Sequence, residues 1–151
     1  MNINKSVGVI GAGSFGFAIS NLLAENQQVL LYERNNETAA AIQRERKIRG
    51  FDLHPNIQIA ESLEQIAANC YLIFPAVPSQ FFKSMIIDFS PYLRPDHIMI
   101  HTTKGLHCEF DIDTADAKTI RLKDIKTMSE LILQETGIVR VGSIAGPNLA
   151  L

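Results

Sequence analysis

Apolar residues in this chain come in short bursts, separated by polar stretches with helical spacing. Ser6 to Ile10 is a β-branched run that reads as a buried strand. Residues 14 to 25, SFGFAISNLLAE, then place Phe15, Ala18, Ile19, Leu22 and Leu23 at helical spacing. Gln28 to Glu33 reads as a second strand, and Asn35 to Arg49 as a polar surface helix capped by Asn35 or Asn36. Beyond Pro55 the pattern predicts a short strand at Ile57 to Ile59, a helical turn from Ser62, and a buried strand over Cys70 to Val77. Pro78-Ser79 opens a further helix, because proline suits a first helical turn. His97 to Thr102 is another strand, residues 124 to 136 a helix, and Ile138 to Ile144 a last strand. Residues 107 to 123 follow neither period, although DIDTADAKTIRLK has the outline of a hairpin about Asp116-Ala117.

Strands alternating with helices imply βαβ units and an α/β fold: a Rossmann-like, doubly wound, mostly parallel sheet with helices on both faces. Ligands in such sheets sit at the carboxyl ends of the strands. The 151 residues suit one domain over 1–151, and 46% hydrophobic with 20% charged residues is a globular composition. A formal net charge of -2 gives no basic surface for nucleic acid. Cys70 and Cys108 lack CxxC spacing, so a disulfide framework or zinc site is not expected and reduced thiols in the cytoplasm are. No apolar run approaches the roughly 20 residues that cross a bilayer, so membrane insertion is not expected. Lys5 ahead of VGVIGAGSFGFAI has the outline of a secretory signal, but three glycines make a poor apolar core for one.

Gly11-x-Gly13-x-x-Gly16 lies between the first strand and the first helix, and Glu33 ends the second strand. That context is what a dinucleotide-binding fingerprint requires, including an acidic residue about 20 positions on. Gly11 allows the tight turn, Gly13 lets the backbone approach a pyrophosphate, and Gly16 permits close packing of helix on strand. The amides near Ser14 and Phe15 would face the phosphates. The Glu33 carboxylate suits both ribose hydroxyls and so favours NAD, whereas the Arg34 guanidinium could pair with a 2′-phosphate or stack on adenine. NAD is the expected cofactor, with NADP the alternative.

Four separated stretches, VIGAGSFG (9 to 16), AVPSQ (76 to 80), TKGL (103 to 106) and AGPNLA (145 to 150), together resemble the N-terminal domain of the NAD(P)-dependent glycerol-3-phosphate dehydrogenase family. The resemblance implies reversible reduction of dihydroxyacetone phosphate to sn-glycerol 3-phosphate, in support of phospholipid synthesis, by a cytoplasmic enzyme able to form a homodimer. It implies cofactor contacts at Ser14, Phe15, Arg34, Pro78, Ser79 and Ala150, and substrate contacts at Gly146 and Asn148. Lys104 matches the family lysine that contacts substrate and cofactor, and its ammonium would stabilise the charge that grows on a carbonyl during hydride transfer. His101 and His107 flank Lys104, but the resemblance requires neither as a proton donor. No metal site is implied.

Three departures from the family pattern stand out. Ala145 replaces the usual serine before Gly146-Pro147, and residues 107–123 form an apparent insertion. The chain also stops at Leu151, where the family continues into a helical domain carrying a second lysine and most of the substrate phosphate site. The expectation is therefore a cofactor-binding portion that is inactive by itself. The alternatives are another two-domain dehydrogenase, of the ketopantoate reductase or 3-hydroxyacid dehydrogenase type, and a non-catalytic dinucleotide-binding module.

Overall fold

The first strand, β1 (Ser6–Ile10), buries Val7, Val9 and Ile10 and sits near the middle of the sheet. A computed structural model describes residues 6–110 and 121–144, and in it β1 leads through α1 (Ser14–Ala24) into β2 (Val29–Tyr32). Next come α2 (Asn36–Glu45), the short strands β3 (Lys47–Ile48) and β4 (Phe51–Asp52), and β5 (Ile57–Ala60). The second half runs α3 (Leu63–Asn69), β6 (Cys70–Pro75), α4 (Ser79–Phe89), β7 (Ile98–His101), β8 (Leu106–Cys108), β9 (Ile125–Thr127), α5 (Met128–Glu135) and β10 (Arg140–Ser143).

Six strands form one sheet in the order β10-β7-β6-β1-β2-β5, and every neighbouring pair is parallel. This is the expected doubly wound architecture. Strands are added outward from β1 in one direction through β2 and β5, then in the other through β6, β7 and β10. The reversal between β1 and β6 opens a crevice at the carboxyl ends of those two strands.

Alternation along the strands divides the core between the faces. Val7, Val9, Val29 and Leu31 pack with Ile19 of α1 and Ile42 of α2. Ile10, Leu30 and Ile73 face the other way, onto Ile66 of α3, Phe82 and Ile86 of α4, and Leu131 and Ile132 of α5. The buried face of α1 is narrower than its apolar spacing suggests. Gly16, Ile19, Ser20 and Ala24 are buried, whereas Ala18 and Leu22 are exposed.

Two sequence expectations need correction. The polar helix does not run to Arg49. It ends at Glu45, where Arg46 turns left-handed with φ 53°, and Arg49-Gly50 then makes a two-residue turn with φ 53° and 84° that pairs β3 with β4. Two successive positive φ values are what a tight hairpin needs, and they cannot continue a right-handed helix. The helix expected over 124–136 starts only at Met128, because Ile125–Thr127 pairs antiparallel with Leu106–Cys108. The hairpin expected about Asp116-Ala117 lies outside the described residues.

The loop before β7 is held by a buried imidazole. His97 Nδ1 accepts from the Arg94 amide at 2.8 Å, and Nε2 donates to the Ala67 carbonyl at 3.0 Å, which assigns the neutral tautomer. Burial pushes the pKa of His97 below the ordinary value of 6.5 and does the same to His101. Below pH 6.5 the unfolded chain therefore takes up protons that the folded chain resists. Stability from these two groups is complete above that pH and falls as pH descends. Each imidazole should contribute a slope of up to about 1.4 kcal/mol per pH unit. Denaturant titrations between pH 7 and 5 check this. That window lies above the ordinary 4.5 of Glu109 and Glu130, whose lowered values act only at more acid pH. His97→Gln should flatten the slope.

Candidate functional site

At the point where the strand order reverses lies a cleft of about 500 Å³, lined by the glycine turn after β1, the end of β2, and the β6–α4 connection. The glycine turn is shaped by backbone contacts. The Gly11 N–H donates to the Tyr32 carbonyl at 2.8 Å, with φ at 105°, and a Cβ at Gly11 would stand 2.7 Å from the Ala76 carbonyl oxygen. A Cβ at Gly16 would stand 1.8 Å from the Gly11 carbonyl oxygen, so α1 rests directly on the turn. At Gly13 the reverse holds: a Cβ would meet nothing within 4 Å. That space opens toward solvent and leaves the turn's backbone approachable. Ser14 and Phe15 start α1, and the Phe15 ring packs into the core beside α1 while its amide stays at the helix start.

Helix starts differ in a way that bears on ligands. Asn35, Ser62 and Thr127 cap α2, α3 and α5, each accepting the amide of the third residue of its helix. Gly13 and Pro78, which precede α1 and α4, provide no side-chain cap. Those two helices begin at the carboxyl ends of β1 and β6, on either side of the reversal. Their first amides have no intrahelical acceptor, and the helix dipole adds partial positive charge there.

Glu33 does more than end a strand. Its Oε2 accepts the Ala12 amide at 3.2 Å and its Oε1 the Asn35 amide at 3.0 Å, so the carboxylate braces the glycine turn to the start of α2. A carboxylate has about four acceptor positions, so capacity for ribose hydroxyls is left. Arg34 is exposed and lines the same cleft, beside Asn35. The sequence pattern missed the opposite wall, formed by Leu63, Phe81 and Met85. Phe81 and Met85 are four apart on α4, a spacing visible in SQFFKSM, but core packing explains it equally well.

Pro78 lines the cleft, and Ser79 faces the segment after β7 instead. That segment is tied down firmly. Thr102 donates from both its amide and Oγ1 to the Pro75 carbonyl, at 3.0 and 3.1 Å, and Thr103 Oγ1 donates to Val77 at 2.7 Å. A Cβ at Gly105 would stand 3.6 Å from Ser79 Cβ and Oγ. Lys104 is therefore exposed on an anchored turn at the carboxyl edge of the sheet, outside the lining of the cleft itself. His101 is buried, its Nε2 2.9 Å from Ser129 Oγ and its ring edge-on to Phe82, and burial pushes its pKa below the ordinary histidine value. It is not arranged to deliver a proton to the cleft. Gly146, Asn148 and Ala150 lie outside the described residues.

A family described as the NAD-dependent glycerol-3-phosphate dehydrogenase N-terminus matches residues 6–151. The chain is 36% identical over 155 aligned positions to an NAD(P)+ glycerol-3-phosphate dehydrogenase of Pseudomonas aeruginosa, covering 99% of this chain and 41% of that protein. One from Teredinibacter turnerae is 32% identical, covering 99% of this chain and 42% of its own length. The crystal structure of glycerol-3-phosphate dehydrogenase from Coxiella burnetii superposes with a TM-score of 0.78 at 22% identity, over 97% of this chain and 42% of that one. The chain thus spans about two fifths of the length of the relatives it matches.

The two glycines should respond oppositely to a methyl group. Gly16→Ala should destabilise the fold by more than about 3 kcal/mol in denaturant titration, because the clash is with backbone. Gly13→Ala should change stability by less than about 1 kcal/mol yet weaken dinucleotide binding about tenfold or more, read by fluorescence titration with NADH.

Proposed function

This chain belongs to the NAD-dependent glycerol-3-phosphate dehydrogenase N-terminal family, and on that premise we propose that it is the cofactor-binding part of an enzyme interconverting dihydroxyacetone phosphate and sn-glycerol 3-phosphate. The observation that carries the reading is the crevice itself. Two uncapped helix starts flank it, Gly13 leaves open space above the turn, and Glu33 fixes the turn from the ribose side. A dinucleotide fits these features: its pyrophosphate would take the α1 amides, and its ribose the remaining acceptor positions of Glu33. NADH, when bound, supplies the hydride.

The protein's own part is charge and position. Lys104 stands on its anchored turn at the sheet edge, where an ammonium would stabilise both the substrate phosphate and the oxygen gaining charge during reduction. Gly146 and Asn148 would add contacts to substrate, and Ala150 to cofactor. Ser14, Phe15, Pro78 and Ser79 would bind mainly through backbone and shape. By the same resemblance, the proton for the alkoxide would come from the second lysine that the family carries in its helical domain. Glu33 supports NAD over NADP, since its braced carboxylate would repel a 2′-phosphate. Cytoplasmic location, homodimerisation and supply of glycerol 3-phosphate to phospholipid synthesis belong to the same reading.

The complete protein should oxidise NADH with dihydroxyacetone phosphate. Turnover of ketopantoate in its place would sink the proposal. Lys104→Met should lower kcat/KM for dihydroxyacetone phosphate about a hundredfold or more. NADH should bind more tightly than NADPH, with Glu33→Gln narrowing the gap. A preference for NADPH that disappears in Arg34→Ala would reverse the assignment of Glu33.

A further inference from the structure

Glu109 lies where the β8–β9 ribbon meets α4. Its carboxylate accepts from Lys83 Nζ at 2.8 and 3.1 Å and from Lys126 Nζ at 3.2 Å, with His107 Nε2 3.4 Å away. Hydrogen bonds from Lys83 and Lys126 draw its pKa down to about 2, so it is ionised across the neutral range. Exposed ion pairs contribute little to stability. What this one fixes is register. Ser79 and Lys83 are four residues apart and share one face of α4. Gly105 sits against Ser79, and Glu109 pairs with Lys83, so the segment from 105 to 109 follows that face of the helix.

The other side of the Lys104 turn is fixed separately, by Thr102 and Thr103 on the carbonyls of Pro75 and Val77. Lys104 thus lies between an anchor on β6 and an anchor on α4. We infer that Glu109 is a positioning residue for Lys104: by seating the ribbon on α4 it sets where the Lys104 ammonium stands at the edge of the sheet. The inference rests on the substrate role proposed above for Lys104. It also gives a purpose to the ribbon that encloses the apparent insertion.

The test compares wild type, Glu109→Gln, Lys83→Met and the double variant, made in the complete protein, by steady-state kinetics and thermal melting. Glu109→Gln should raise KM for dihydroxyacetone phosphate about threefold to tenfold, leave KM for NADH within about twofold, and leave the melting temperature unchanged. Lys83→Met should show the same split, and the double variant should be no worse than Glu109→Gln alone. An unchanged KM for dihydroxyacetone phosphate in Glu109→Gln, an equal loss for both substrates, or additive losses in the double variant would overturn the positioning role and leave the proposed activity standing. Absence of turnover by the wild type would overturn both.

Discussion

One backbone-on-backbone contact governs the arrangement of this domain. α1 rests on the Gly11 carbonyl through Gly16, while Gly11 itself rests on the Ala76 carbonyl of the neighbouring connection. No side chain fits at either position. Because they are empty, the start of α1 comes down to the end of β1, and the β6–α4 connection closes in from the other side. Larger residues there would lift the helix away and widen the crevice.

Around that contact the loops are braced by side chains bonded to backbone. Glu33 links the ends of β1 and β2 through the Ala12 and Asn35 amides, and Thr102 and Thr103 link the ends of β6 and β7. Hydrogen bonds of this kind are directional, and where they are buried or partly buried, as all but the Glu33–Asn35 bond are, leaving either partner unmet is costly, so they hold in place loops that apolar packing alone would leave loose. The carboxyl edge of the sheet is consequently built from loops that behave like framework.

Most of the fold was legible because its signals are local. Gly11, Gly13 and Gly16 mark the first turn, Asn35 and Ser62 mark helix starts, and CYLIFP is apolar enough to be a buried strand in any context. What stayed hidden depends on partners distant in sequence. Ile125–Thr127 is a strand only because Leu106–Cys108 lies beside it, and nothing in the period of its own residues says so. The overrun of α2 had a visible signal in Arg49-Gly50, but a basic residue is an unusual choice for the first position of such a turn. Of the cleft lining, Gly11, Gly13, Glu33 and Arg34 could be read from spacing, while Lys104, singled out by resemblance, stands outside it. The carboxylate of Glu109 could not be read that way, since its lysines come from residues 83 and 126.

The missing side-chain caps on α1 and α4 have a consequence for the stability of the domain. A helix start that faces solvent relies on water to satisfy its amides, and water there is replaceable. In the three capped helices a side chain already takes one of those amides, whereas at these two starts no side chain does. An anion bound there would act as a structural component of the domain as well as a ligand, and would stabilise the folded state by its binding free energy.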